Sequence, residues 1–298
     1  MDLVVGASGL VGKQIALGLR NRGRAVRAFL RGGKAHAAAE DLSRAGMEIV
    51  DGDLTRPETL APALQNIDTV ICTATSMPHG ADNGIVRVDH DGALALIDAA
   101  AQSPNRKFIY LSYTGNMHAD SPLQTAKRDS EKRLLDGPMS CVILRPSFFM
   151  ESWLSPALGF DPVNGSARIY GSGDTQVSYI SAADVARFAV AVAIKNQPGK
   201  IVLEIGGPEP LSQKDAVQVF ESKLQKKVQL DFLPVEAIEQ QHRSTDPLQK
   251  TFGALMLGYT KGDVIPDSQP NAAKYGISLR SVADYAAEHA GSGHARRA

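Results

Sequence analysis

Residues 1–12, MDLVVGASGLVG, run an apolar strand over 3–5 straight into a glycine-punctuated turn and a helix that starts near Leu10. Unpaired backbone N–H groups at such a helix start, together with the helix dipole, converge on one spot and cradle a pyrophosphate. Gly6 permits the tight turn, Gly9 lets a diphosphate approach the backbone, and Gly12 lets the helix pack closely on the strand. The spacing is G-x-x-G-x-x-G rather than the commoner G-x-G-x-x-G, in a chain with 27 glycines, so context has to decide whether it means a cofactor. Candidate cofactor contacts here are Gly6, Ala7, Ser8, Gly9, Leu10, Val11 and Gly12.

The context supplies a mononucleotide-binding unit: a helix over 10–22, a short strand over 25–30, then Arg31-Gly32-Gly33-Lys34. In NAD-specific folds an acidic residue ends this second strand and bonds the ribose 2′-hydroxyl. Arg31 stands there instead. A guanidinium bonds a 2′-phosphate, and Lys34 adds a second positive charge, so the site reads as NADP(H) rather than NAD(H). The plainer alternative is a solvated basic turn.

Short apolar strands and amphipathic helices then alternate: strand 47–50, helix 57–66, strand 69–74, helix 85–102, strand 107–112, helix 121–136 and strand 140–145. Nearly all-apolar strands separated by helices predict an α/β fold, a Rossmann-type doubly wound parallel sheet covered on both faces. After Arg145-Pro146 the rhythm breaks into an aromatic, Gly- and Pro-rich stretch, where a smaller C-terminal α/β substrate-binding domain begins. The expected division is 1–150, rejoined by about 178–206, for the nucleotide domain and 151–298, partly discontinuous, for the smaller one. The later elements read as helix 182–195, strand 200–205, helix 212–224, strand 228–233 and helical segments to about 288. Ser181 with Asp184 and Ser212 with Asp215 resemble capping boxes, which makes Asp184 structural. The polar tail 291–298 reads as a mobile end.

With 298 residues, 43% of them hydrophobic, the chain can bury a large core, while 32 basic and 32 acidic residues cancel. That balance gives no global electrostatic case for nucleic acid or an anionic membrane, so specificity must be local. The two cysteines, Cys72 and Cys141, sit in apolar strand patterns and read as buried free thiols in a reducing cytoplasm. No signal peptide precedes the first strand in this reading, and no apolar run is long enough to span a bilayer.

Ligands of open parallel sheets bind beyond the carboxyl ends of the strands. Reading those ends adds Asp53 and Leu54 after the third strand, where a carboxylate can accept from an adenine amino group, or instead form an Asx turn. Thr73, Ala74 and Thr75 follow the fourth strand and are small enough to let a dinucleotide pass. Ser112 and Tyr113 follow the fifth, and Phe148 and Phe149 the sixth.

GASGLVG, the basic residue after strand two, DGDL, YLSYTG, AKRDSEKRLLDG, ILRPSFFMESW, YISAADVARFAVAVA and LEIGGPEPLS, in that order over about 3–215, together resemble the NmrA-like branch of the atypical short-chain dehydrogenase/reductase superfamily. The resemblance implies a Rossmann domain that binds NADP(H) and a small C-terminal domain closing over a substrate cleft. Short-chain dehydrogenases typically use Tyr-x-x-x-Lys, with the tyrosine as acid or base and the lysine on the nicotinamide ribose. Lys127 matches the lysine and Ser112 the assisting serine, but Leu123 stands where the tyrosine would be. Isoflavone-reductase-like and quinone-reductase-like members are similar in keeping the lysine alone. By that resemblance Lys127 binds the ribose and helps protonate a reduced carbonyl, with Ser112, Tyr113 or a water as polar partner. The alternative for Lys127 is a surface i, i+4 pair with Glu131.

Phe148, Phe149, Met150 and Trp153 are read as one wall of an apolar acceptor pocket, and Met77, Pro78 and His79 as the other, with His79 a candidate proton donor on position alone. The seven histidines show no metal-ligand spacing, and no nucleophile elbow occurs, so no metal site is assigned. The leading expectation is an NADPH-dependent oxidoreductase that reduces a small quinone- or carbonyl-like molecule. A redox sensor that binds NADP(H) and reports to a protein partner is the alternative. A sugar-nucleotide epimerase is weakened by the missing tyrosine.

Overall fold

The computed structural model describes residues 1–77, 84–103, 106–195 and 197–295, the last five of these by backbone alone. The chain opens on β1 (Asp2–Val5), buried at every position, and the glycine turn delivers it into α1 (Leu10–Asn21). Then come β2 (Val26–Leu30), α2 (Ala39–Arg44), β3 (Glu48–Asp51), α3 (Leu60–Ala63) and β4 (Thr69–Cys72). They are followed by α4 (Ala93–Ala101), β5 (Lys107–Leu111), α5 (Pro122–Asp136) and β6 (Ser140–Pro146). After α6 (Met150–Trp153) and the short strands β7 (Phe160–Asp161), β8 (Ser166–Tyr170) and β9 (Gln176–Val177), α7 (Ala182–Ile194) leads to β10 (Lys200–Ile205).

The main sheet has the strand order β10-β6-β5-β4-β1-β2-β3. β1 pairs in parallel with β2 on one side and β4 on the other, Asp2 standing opposite both Val26 and Thr69. Successive strands are therefore laid to one side of β1 through β3 and to the other side from β4 onward, and such a switch point between β1 and β4 opens a crevice at the strands' carboxyl ends. Helices flank the sheet, and the fold is the Rossmann-type α/β arrangement that the alternating pattern predicts. Cys72 and Cys141 are buried free thiols.

Two compact units emerge: 1–113 with 120–145 and 185–203, and 114–119 with 146–184 and 204–298. The first holds the main sheet's core, in which Leu3, Val70, Leu96, Phe108 and Cys141 are fully buried. The second is built on the sheet β12-β8-β7, where β12 is Gln229–Leu233, and on the pair of β9 with β11 (Leu211–Ser212). Its helices are α8 (Gln213–Leu224), α9 (Val235–His242), α10 (Pro247–Lys261), α11 (Ser268–Lys274) and α12 (Val282–Ala295). Ser212 and Asp215 form the reciprocal capping box at the start of α8. Ser181 Oγ accepts from Asp184 N (3.1 Å), and Asp184 Oδ2 accepts from Arg280 N (2.9 Å), a structural use of that carboxylate.

Several element limits differ from the sequence pattern. The helix expected over 57–66 is a single 3-10 turn, Pro57–Thr59, followed by the four residues of α3, because Pro62 lacks the N–H that a continuous helix would bond to Glu58 O. In the helix expected over 85–102, Ile85–Gly92 wind as a π-helix before α4 begins. The tail expected to be mobile from 291 continues α12 to Ala295, and 296–298 lie outside the described residues.

Candidate dinucleotide and acceptor sites

Gly6 adopts φ +91°, the left-handed region glycine tolerates, and Gly9 N donates to Gly6 O at 3.0 Å to close the turn. A Cβ on Gly12 would stand 2.1 Å from Gly6 O, and one on Gly6 would stand 2.6 Å from Thr73 Oγ1 and 2.9 Å from Ala74 N. The turn after β1 and the loop after β4 thus touch at the switch point. Gly9 is different: it is exposed, and a Cβ there would meet only Gly6 O, at 3.3 Å. No side chain caps α1, and its first turn carries no acid. Its leading N–H groups and dipole are therefore left for an anion, and the open face at Ser8, Gly9 and Leu10 fits a diphosphate. Ala7 and Gly12 are buried behind that face, with Val11 half-buried.

Beyond β2, Arg31 and Lys34 are both exposed, and Gly32 N donates to Asp51 Oδ1 (3.0 Å), which fixes the basic turn against the end of β3. Asp53 forms the Asx turn: its Oδ1 accepts from Thr55 N and Thr55 Oγ1, both at 2.8 Å. Burial raises the Asp53 carboxyl, and the two Thr55 bonds with Arg31 and Arg56 nearby outweigh it, so its pKa lies below the ordinary value. Leu54 is buried, and Gly92 is there to admit it, since a Cβ on Gly92 would come within 2.7 Å of Leu54 Cβ. Thr73 Oγ1 donates back to Val5 O (3.2 Å), Thr75 Oγ1 accepts from Met77 N (3.2 Å), and Ala74 lies between them.

Lys127 is buried, which overturns the surface-pair alternative. Its Nζ donates to Leu111 O at 3.1 Å and lies 5.0 Å from the Tyr110 ring centroid. Burial pulls the ammonium down, but Tyr110, Asp89 and Cys72 together outweigh it, and its pKa stands above the ordinary lysine value. Glu131, the partner that alternative required, is held instead by Arg128 and Arg145. Leu123 is buried in the first turn of α5, so an aliphatic side chain fills the place of the dehydrogenase tyrosine.

Ser112 is buried beside this ion cluster, with Arg128 Nη1 at 3.5 Å from its Oγ. Tyr113 lies with the Arg128 guanidinium 4.9 Å from its ring centroid, and burial pushes its phenol far above the usual tyrosine range. A phenol so raised is a weaker acid than an ordinary tyrosine.

Two residues not singled out in the sequence join this region. Tyr110 lies beneath Lys127, and Asp89, 1% exposed, accepts from Ser76 N (2.9 Å) and Ser76 Oγ (2.6 Å), pinning the loop after β4. The π-helical winding of Ile85–Gly92 accompanies this inward turn of Asp89. On the same segment His90 bridges Asp91 (2.7 Å) and Asp129 (3.1 Å), and the Asp91 bond is the largest of the causes that raise its pKa. A raised folded pKa gives stability that is complete below the unfolded value, about 6.5, and fades as pH rises through the folded value. His90→Gln is expected to lower Tm by a few degrees near pH 6, a loss of at most about 1 kcal/mol for so open a pair. The gap between variant and wild type should close above about pH 8 in thermal melts, and a gap that widens there would reverse the assignment.

In the second unit, Phe148, Trp153, Tyr170, Tyr179 and Tyr259 form one aromatic cluster. Phe148 meets Trp153 edge-on at 4.8 Å, and Trp153 stacks 4.3 Å from Tyr259. Phe149 is half-buried and bridges Ile180. Phe148 lines a cavity with Thr114, Asn116, Met117, Gly258 and Asp263. Met77 is half-buried in the first unit, and Pro78 and His79 lie outside the described residues. Among the described residues no helix is long and apolar enough to cross a membrane, and no three His, Cys, Asp or Glu side chains group to hold a metal ion.

A parallel sheet whose switch point carries an uncapped helix behind a close-packed glycine turn defines a dinucleotide-binding protein of the Rossmann class. The sequence model of the NAD(P)H-binding family matches residues 6–196, and the chain belongs to that family, in its NmrA-like, atypical short-chain dehydrogenase/reductase branch. It is 27% identical over 239 residues to the photosystem II assembly factor Ycf39 of Cyanophora paradoxa, covering 80% of this chain and 73% of that one. It is 26% identical over 302 residues to an NAD(P)H azoreductase of Xenophilus azovorans, covering 97% and 98%. The fold is shared with the NADPH complex of the quinone oxidoreductase QOR2 of Escherichia coli, at TM-score 0.79 and 20% identity over 97% of this chain and 99% of that one.

Proposed function

We propose that the chain is an NADPH-dependent oxidoreductase that passes hydride to a small quinone- or carbonyl-like acceptor. The observation that carries this reading is Lys127, an ammonium 6% exposed whose hydrogen bond goes to the carbonyl at the end of β5. Burying a cation is costly, and such groups concentrate at functional sites. The open face at Gly9 would take the diphosphate, Arg31 and Lys34 a 2′-phosphate, and Lys127 the nicotinamide ribose. Nicotinamide supplies the hydride when bound, and the chain's own residues hold and orient. Similarity to an azoreductase over nearly the whole chain supports an acceptor with a reducible π-system. The buried free thiols Cys72 and Cys141 suit a reducing cytoplasm.

NADPH oxidation against a panel of quinones, azo dyes and carbonyl compounds tests the reading directly. Purified protein that binds NADPH tightly and oxidises it with none of them would overturn it. Cofactor choice is separable: Arg31→Ala is expected to weaken NADPH binding about 10- to 100-fold, the worth of one charge-assisted contact, and to leave NADH binding unchanged. Calorimetric titration with both cofactors decides this, and equal losses for the two would remove Arg31 from the 2′-phosphate.

A second reading has its own support. The likeness to assembly factors, with Leu123 in place of the tyrosine, favours a protein that binds NADP(H) and reports it to a protein partner without turnover. Partner binding that depends on NADPH and survives Lys127→Ala would favour it.

A further inference from the structure

We propose that two copies of this chain pair edge to edge through β12, antiparallel about a two-fold axis at Leu230, joining two three-stranded sheets into one of six strands. β12 ends the sheet order β12-β8-β7, so β8 covers one of its sides and, among the described residues, no strand covers the other. On the β8 side Gln229 N donates to Gly165 O, and Leu233 O accepts from Gly171 N, both at 2.9 Å. Backbone groups alternate in direction along a strand, so the N–H and C=O of Leu230 and of Phe232 point away from β8. None of those four groups bonds another described residue. Such a row of free donors and acceptors is a template for a further strand, which single folded chains blunt with lysines, prolines or bulges. β12 instead sets Phe232, 49% exposed, on that edge. Its one charge, Asp231, is neutralised by Arg168, whose Nε and Nη2 each donate to Asp231 Oδ2 at 2.9 Å.

The sequence of the edge, Val228-Gln-Leu-Asp-Phe232, matches its own reverse, which is what a two-fold contact requires. With the axis at Leu230, the two Leu230 residues exchange both backbone bonds, and Phe232 N of each copy meets Val228 O of the other. Phe232 then stands opposite Val228, apolar against apolar. Gln229 stands opposite Asp231 of the second copy, amide donor against carboxylate. Lys227, its side chain 92% exposed, lies diagonal to that same carboxylate and within a long side chain's reach. Neighbouring axes fail on the same criteria. An axis at Asp231 sets two carboxylates against each other, and one at Phe232 sets Leu230 against Pro234, which has no N–H. An axis at Gln229 sets Leu230 against Val228, whose N–H is already held by Glu221 Oε1 at 2.8 Å, so no pair exchanges both bonds.

This contact goes beyond the reductase reading and stands or falls without it. Sedimentation velocity of the full chain over a concentration series is expected to show a monomer in exchange with a dimer, with a Kd of roughly 1–100 µM for so short an interface. Phe232→Glu should weaken the dimer at least about tenfold, because it sets a charge against Val228 of the second copy. Lys214 Nζ, 5.8 Å from the Phe232 ring centroid, can receive the new carboxylate, so the single chain should still fold, with thermal melts as the check. Cross-linking reads the register. Across the axis the two Leu230 Cα atoms would lie about 5.5 Å apart, inside the range of a disulfide. The two Phe232 residues, each four positions from facing itself, would lie more than about 12 Å apart. Under mild oxidation Leu230→Cys should therefore become a covalent dimer, and Phe232→Cys, at the more exposed position, should not. The native Cys72 and Cys141 are buried and stay out of the reaction. If Leu230→Cys does not fold, Gln229→Cys and Asp231→Cys, both at exposed positions, should cross-link to each other when mixed. A chain that stays monomeric through that concentration range, a Kd unchanged in Phe232→Glu, or Phe232→Cys cross-linking as fast as Leu230→Cys would each overturn the proposal.

Discussion

Gly12→Ala is expected to cost about 3 kcal/mol of stability, to lower Tm by roughly 6–12 °C and to abolish measurable NADPH binding. The new methyl would lie 2.1 Å from Gly6 O, 2.7 Å from Gly6 C and 2.8 Å from Thr73 Oγ1. Two of those atoms are backbone, so relief requires α1 to lift off the turn, which moves the N–H groups that would meet the diphosphate. Gly9→Ala is the informative counterpart. Gly9 has φ −79°, and its Cβ would meet only Gly6 O, at 3.3 Å, so the fold should survive with Tm within a few degrees of wild type. The added methyl would occupy the open face of the turn, and NADPH affinity should fall at least about tenfold. Thermal melts and NADPH titrations on the two variants separate crowding inside the protein from crowding of the cofactor. Gly9→Ala protein that binds NADPH as tightly as wild type would remove the diphosphate from this turn.

The contrast between these glycines also shows why much of the dinucleotide half is legible in sequence. Gly6, Gly9 and Gly12 act through neighbours a few residues away, and a strand running into a helix fixes their geometry almost alone. Arg31 is legible for the same reason, as the residue directly after a short strand. Tyr110, Asp89 and Asp263 are not. Tyr110 lies on β5 within a sheet buried on both faces, so periodicity cannot say which way its ring points. Asp89 turns inward on a π-helical segment, which a 3.6-residue pattern does not register. Asp263 follows Gly262 at φ +83° and meets Thr114 and Asn116 from far along the chain, a meeting only the folded unit creates. The aromatic wall was legible as residue types but not as packing. Trp153 and Phe148 lie close in sequence, whereas Tyr170 and Tyr259, distant in sequence, complete the cluster around Trp153.

Lys127→Met is expected to separate function from stability. Reductase turnover should fall about 100-fold or more, while Tm drops by no more than about 2–4 °C. The small structural cost follows from the contacts: one bond to Leu111 O is lost, worth about 1 kcal/mol, and an apolar chain of similar length replaces a cation that was costly to bury. Loss of the positive neighbour of Asp89 adds to that cost, and the Ser76 bonds to Asp89 limit it. The direction of the pKa shift bears on the proposed role. A lysine raised above its ordinary value stays protonated through neutral pH, and the stability its charge contributes is lost only as pH climbs through that raised value. On the proposed reading Lys127 would therefore serve as a fixed cation and donor, not as a base that exchanges its proton during turnover. The wild-type pH–rate profile should accordingly show no basic limb from this residue below about pH 10. NADPH affinity measured on the same variant should weaken about tenfold, as expected for one lost charge-assisted contact to the ribose. Lys127→Met protein that keeps full turnover would move the chemistry elsewhere and leave the buried ammonium as part of the core.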